Sequence, residues 1–257
     1  MTDKQNSFKS VVYPTAILGS LAGVWALVWA ARIFHESAFP SPLSVVRAFA
    51  LEIRTGRLLN DLIISLFRVS CGFAIGVLLG IPIGVWLGQK LAPRQALLPL
   101  VNFFRNLSSL AWIPFAILWF GVGDASTIFL IFMAAFFPIV LATMAAVSSI
   151  PAVYSRVAHD YGFRGLEKLI HVTLPAIMPQ VITSLRVTAG LSWLVVVAAE
   201  MVAGRDGLGF AVMDARNGLR IDLLLVEMIT IGLIGVAIDA VLARLTRIPS
   251  VRWGYER

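Results

Sequence analysis

Long apolar runs alternating with short polar stretches set the pattern of this chain. Runs near the length of about 20 residues that an α-helix needs to cross a bilayer core predict spanning helices over 11–31, 62–87, 125–147, 177–202 and 223–242. A further apolar segment over 108–124 is interrupted by Pro114 and is short unless it borrows from 97–104. A helix broken at mid-membrane is tolerated where neighbours or a cavity satisfy its backbone. This segment is therefore expected either on a translocation path or as a kinked packing helix. The run over 11–31 is longer than the apolar core of about 7–15 residues in a secretory signal, and is taken as a first span.

The polar stretches carry their own helical signals. Over 42–55, Ser41 can cap a helix, Pro42 suits its first turn and Gly56 its end. Leu43, Val46, Phe49, Ala50 and Ile53 share one face, predicting a short amphipathic helix at the outer interface. The second span carries Gly72, Gly76, Gly80, Gly84 and Gly88 at strict four-residue spacing. That spacing makes a groove for another helix, whether fixed or moving, because packing drives association in lipid. Pro82 is expected to bend the span. Between the fourth and fifth spans lies RVAHDYGFRGLEKLIHVTLPAIMP, residues 156–179. There Pro151 can start a short helix that Gly162 and Gly165 end, and a second helix runs from Leu166 to Leu174-Pro175.

Composition agrees with the pattern: 59% of the 257 residues are hydrophobic and 14% charged, and mean hydropathy is +0.87. Soluble domains carry about a quarter charged residues. The net charge of +7 falls mainly in short loops beside the spans, where it sets orientation and does not argue for nucleic acid. Four crossings place 156–179 on the cytoplasmic side with both termini, in keeping with Arg156, Arg164 and Lys168. Residues 1–10 read as a cytoplasmic N-terminus and 11–257 as one transmembrane domain.

Charges inside spans mark packing or function. Arg186 near the inner end of the fifth span is expected to snorkel or pack; Glu200 near its outer end is open between packing and lining a path. The sixth span holds Glu227 and Asp239. Gly204, Gly207 and Gly209 spell G-x-x-G-x-G, but without a preceding strand or a following lysine they read as a chain reversal or docking turn and not a nucleotide site. Cys71 is the chain's one cysteine, and His35, His159 and His171 are dispersed. Neither a metal site nor a catalytic set is expected.

Residues 156–179 resemble the cytoplasmic EAA loop of ABC importer permeases, whose pattern is Glu-Ala-Ala, three residues, Gly, a spacer and an aliphatic-Pro pair. Ala158 matches the second alanine, Gly162 the glycine and Leu174-Pro175 the closing pair; Arg156 and Val157 stand where the pattern has Glu and Ala. FPSPLSVVRAF, LAWIPFAILWFGVGDASTIFLIFMAAFFPI, AAEMVAGRDGLGFAVMDARN and the closing Arg252-Trp253 are similar to the nitrate/sulfonate/taurine branch. The resemblance implies an all-α, six-span, type I (MetI-like) permease fold in a bacterial inner membrane. It also implies import of a small anionic or zwitterionic solute, such as an aliphatic sulfonate, taurine or nitrate. The implied partners are a second permease copy, two cytoplasmic ATPases carrying ATP and Mg, and an external binding protein, with no cofactor on this chain. Coupling to the ATPase is expected from the loop at 150–178, through Val157, Ala158, Asp160, Tyr161, Gly162, Phe163, Leu174 and Pro175, with Asp160 or Glu167 as candidates to replace the missing acidic residue. Tyr161 and Phe163 could instead pack against the loop's own spans. Trp112, Pro114, Ser192 and Glu200 are expected along the path. An ion-coupled transporter acting without an ATPase is the alternative, though the paired broken helices of such carriers have no counterpart in the pattern.

Overall fold

The computed structural model describes residues 2–33 and 38–244, with side chains in the first helix described at Tyr13, Ala16, Ile17 and from Gly19 onward. His35 and the closing Arg-Trp pair lie outside these residues. Every regular element described is helical: α1 (Thr2–Ala30), α2 (Pro42–Thr55), α3 (Arg57–Gln89), α4 (Leu91–Asn106), a 3-10 turn (Ser109–Trp112), α5 (Ile113–Phe120), α6 (Asp124–Ser148), α7 (Ala152–Asp160), α8 (Gly165–Lys168), a π-helical turn (Leu169–Thr173), α9 (Leu174–Ala203), α10 (Leu208–Asn217) and α11 (Ile221–Ala243). Among the described residues, four stretches are long and apolar enough to cross a membrane: Arg57–Gln89, Asp124–Ser148, Gly165–Ala203 and Ile221–Ala243. A fifth counts if the segments Leu91–Asn106 and Ser109–Phe120, bent by 85° to each other, form one broken span. The count of six therefore rests on that pair and on α1, whose apolar stretch is Gly19–Ala30.

The chain divides into two compact units, Met1–Leu59 with Ala211–Thr230, and Asn60–Phe210 with Ile231–Arg257. In the first, Ser41 caps α2 by accepting the Ser44 N–H at 2.9 Å, and Gly56 closes it in the left-handed region at φ 75°. The inward face of α2 is Val45, Ala48 and Glu52, while Leu43, Val46 and Ile53 are exposed. Leu43, Val46 and Ile53 of the apolar stripe read from the sequence thus lie on the outward face of the helix. Arg57 pairs with Asp214 at 2.5 Å.

The second unit is organised by the glycine stripe. A Cβ on Gly72, Gly76, Gly80, Gly84 or Gly88 would lie 2.5–2.9 Å from Ile131, Ala135, Ile139, Thr143 or Val147 of α6, in that order. Two four-residue repeats therefore mesh along the length of α3 and α6. Lipid offers no hydrophobic drive between helices, so this close backbone approach supplies the dispersion contact that holds them together. At one end of the seam, Val85, Ala146, Val147, Ile177 and Val181 form a core joining α3, α6 and α9. α9 is tied to α11 by Arg186, whose Nε and Nη2 donate to Asp239 at 2.6 and 2.7 Å, and by the Trp193 indole N–H, which donates to the Ile231 carbonyl at 3.0 Å. Arg186 thus has a carboxylate partner within the protein, where the sequence offered snorkelling or packing.

Two boundaries differ from expectation. The third apolar segment breaks at Leu107 and Ser108, and Pro114 lies in the first turn of α5. Proline is compatible there because the first N–H groups of a helix have no partner in any case. The helix that carries the fifth apolar run reaches further back than the run itself: Gly165–Ala203 is one helical stretch. It contains a π turn, where the Leu174 N–H bonds back to the Leu169 carbonyl and Pro175 enters at the first turn of α9.

Candidate functional site

Three features of the second unit bear on function. The first is the polar segment between α6 and α9. α7 ends in a double-bonded Schellman turn: the Phe163 N–H donates to the Ala158 carbonyl at 2.9 Å and the Gly162 N–H to the His159 carbonyl at 2.9 Å. Gly162 occupies the left-handed position at φ 78° with open space where a side chain would stand, so it is the backbone angle and not crowding that selects glycine. The turn folds Phe163 back onto His171, with rings stacked 5.6 Å apart and 8° from parallel.

Val157, Ala158, Tyr161, Phe163 and Pro175 all line one cavity of about 470 Å³, together with Val153, Tyr154 and His171. Ala158 is buried at its floor, while Val153, Val157 and Tyr161 are exposed by 63%, 47% and 78%. Asp160 is exposed at the end of α7. Leu174 lies apart from the cavity, packed with Leu169 against the core of Val85, Val147 and Ile177. The segment thus presents an apolar rim outward and is anchored inward at Leu169 and Leu174. Of the two aromatics, Phe163 packs within the loop and Tyr161 does not.

The second feature carries no periodic signal in the sequence. Arg68, in α3, is 1% exposed and reaches four acceptors. Nη1 donates to Glu200 Oε1 at 3.0 Å and to the Asp206 carbonyl at 2.8 Å, Nε donates to Asp124 Oδ1 at 2.7 Å, and Nη2 donates to the Asp206 carboxylate. Glu200 is fully buried and accepts also from Ser65 Oγ at 2.8 Å and the Gly209 N–H at 3.0 Å. Asp61 and Ser65 take the N–H groups of Gly207 and Leu208 at 3.0 Å each. The G-x-x-G-x-G reversal is therefore wrapped on a carboxylate. A Cβ on Gly207 would stand 2.5 Å from Glu200 Oε1, and one on Gly209 would collide with the Val197 carbonyl. Buried charges are tolerable when paired and hydrogen-bonded like this. The cluster locks α3, α6 and α9 together at the end of the spans where Asp124 and Ala203 lie. The signal that could have found it is an arginine inside an apolar run, a default marker of structure or function.

The third feature is a cavity of about 920 Å³ between the α4 break, α6 and α9, lined by Arg105 to Ser109, by Met133, Ala134, Pro138, Leu141 and Ala142, and by Leu191, Leu194 and Val195. Its lining does not include the four residues expected along a path. Trp112 sits in an aromatic cluster, 6.0 Å from Phe104 and 5.9 Å from Phe115 between ring centres. Pro114 starts α5, Ser192 is buried, and Glu200 is in the charge cluster.

The fold and these features match known proteins. Residues 76–251 match the family described as binding-protein-dependent transport system inner membrane component. The chain is 31% identical over 244 residues to the taurine transport system permease protein TauC of Escherichia coli, covering 93% of this chain and 89% of that one. It is 34% identical over 252 residues to the bicarbonate transport system permease protein CmpB of Synechococcus elongatus, covering 90% and 88%. Among solved structures, an inward-facing conformation of the MetNI methionine ABC transporter aligns with a TM-score of 0.61 at 20% identity, covering 76% of this chain and 99% of that chain. That likeness gives the fold, the all-α MetI-like permease architecture. With a family model matching most of its length and relatives above 30% identity along nearly all of it, the chain belongs to the binding-protein-dependent inner membrane components, as a multi-pass permease of an ABC importer in the sulfonate/taurine/nitrate family.

Proposed function

We propose that this permease, as one of a pair of identical copies in a bacterial inner membrane, carries a small anionic or zwitterionic solute of the sulfonate, taurine, nitrate or bicarbonate type. An external binding protein delivers the solute, and two cytoplasmic ATPases, holding ATP and Mg, drive the cycle. α7 and the turn after it form the ATPase contact, through Val157, Ala158, Asp160, Tyr161, Gly162, Phe163 and Pro175, with Leu174 anchoring the segment to the spans. Both termini and this segment lie on the cytoplasmic side.

The observation that carries the coupling role is the exposed apolar rim of Val153, Val157 and Tyr161 around a cavity of about 470 Å³, on a stretch too polar to sit in lipid. Apolar side chains held this far out of a membrane protein's own core fit a partner protein's groove. The anchorage of Leu169 and Leu174 against α3 and α6 would convert a push on α7 into rigid-body movement of spans, since a packed core moves as a body and does not deform continuously. Tyr161→Asp tests the assignment. The ATPase should no longer copurify with the variant permease and uptake should be lost, while the permease still inserts and migrates as a folded species. Wild-type copurification and uptake in Tyr161→Asp would remove α7 from the coupling role.

A further inference from the structure

We propose that Arg105, together with Asn106, Ser108 and Ser109, forms an anion-contact site halfway along the translocation path. This rests on the reading of the cargo as a small anionic or zwitterionic solute and adds the group that would contact its anionic oxygens. The cavity of about 920 Å³ has two unlike walls. One is the α4 break, contributing Arg105, Asn106, Ser108 and Ser109; the other is wholly apolar, from Met133 to Ala142 on α6 and from Leu191 to Val195 on α9. Among the described residues, no aspartate or glutamate lines it.

Depth gives this arginine its meaning. At 1.5 Å per residue, Met133 and Ala142 lie roughly 13 and 27 Å from the Asp124 end of α6, and Leu191 to Val195 roughly 12–18 Å from the Ala203 end of α9. The cavity therefore faces the middle of two spanning helices, where a charge is expensive unless it meets water, a counter-charge or a ligand. Among the described residues Arg105 makes no ion pair, whereas Arg68 and Arg186 are bound to carboxylates and Arg94 donates to Ser148 Oγ.

The break itself keeps the site open. α4 stops at Asn106, the Leu107 N–H closing on the Phe103 carbonyl, and the chain turns by 85°. This leaves Asn106, Ser108 and Ser109 on the cavity wall with Arg105. Such a set can solvate a carboxylate, sulfonate, nitrate or bicarbonate oxygen, and it disfavours cations. Its openness to water keeps binding weak, as a path that must also release its cargo requires.

The test uses the complete transporter, permease with its ATPase and binding protein, in proteoliposomes, with labelled taurine, nitrate and bicarbonate as probes. Arg105→Gln should lower ATP-driven uptake of the transported anion by roughly 10-fold or more, the weight of a charge-assisted hydrogen bond. Assembly and binding-protein-stimulated ATP hydrolysis should stay unchanged, and Arg105→Lys should restore most of the uptake. Wild-type uptake by Arg105→Gln overturns the proposal. If Arg105→Gln does not assemble, Arg105→Cys in a Cys71→Ala background decides. The transported anion at saturating concentration should slow alkylation of the new thiol, and an unchanged rate overturns the site. A wild-type complex that moves none of the three probes but does move a solute without an anionic group defeats the cargo reading itself, a different result from probe uptake that ignores Arg105.

Discussion

Replacing Arg68 with methionine separates a structural lock from an ornamental ion pair. Met keeps most of the volume and removes the charge. Of the three carboxylates around Arg68, the side chains of Asp124 and Asp206 are 61% and 47% exposed and can return to water, whereas Glu200 is 0% exposed. Glu200 would retain Ser65 Oγ and the Gly209 N–H but lose the cation beside it. Breaking a buried pair from one side costs about 3–5 kcal/mol. At about 2–4 °C per kcal/mol for a chain approaching this size, the apparent Tm of the detergent-purified protein should fall by roughly 6–20 °C. The companion variants are Glu200→Leu and the double Arg68→Met/Glu200→Leu. The double should be less destabilised than the sum of the singles, because it leaves no uncompensated buried charge. Scanning tryptophan fluorescence or heat-challenged size exclusion reads all three. A loss under about 1 kcal/mol in Arg68→Met, the range of exposed pairs, or strictly additive singles would refute the reasoning.

The glycine seam and one strained turn give two further tests. Gly84→Ala sets two effects against each other: alanine favours a helix interior over glycine by about 1 kcal/mol, but its Cβ would lie 2.6 Å from Thr143 Cβ and 2.7 Å from the Val140 carbonyl, and overpacking costs about 1–3 kcal/mol. A lower apparent Tm is expected, whereas Gly232→Ala, with nothing within 4 Å, should be neutral or stabilising; equal behaviour would disprove close packing at the seam. In the loop after α10, Leu219 holds φ 55° in a Schellman turn closed by Arg220 N–H to the Ala215 carbonyl at 2.9 Å. A left-handed non-glycine residue costs about 1–2 kcal/mol, so Leu219→Gly should raise apparent Tm by a few degrees, and a decrease would show that the exposed leucine earns its place by contact.

What the chain determines by itself is everything local. Runs of apolar residues define α3, α6, α9 and α11 within a few residues; Ser41 and Gly56 bound α2, and Pro151 and Gly162 bound α7, because caps and turns depend on neighbours one to five positions away. The four-residue glycine spacing even shows that α3 must meet another backbone. What it cannot show is which one: Ile131, Ala135, Ile139, Thr143 and Val147 fill those gaps through a register fixed only when α3 and α6 pack. The break at Leu107 escaped for the opposite reason. Pro114 was the strongest local punctuation, but a first-turn proline is permissive, and the bend fell where α4 and α5 pack differently against α6. Tertiary structure alone brings Arg68 to Glu200 and Asp206, 132 and 138 positions away. A buried charge declares itself in the sequence as an anomaly, and its partner is decided by the depth at which separate helices come to lie.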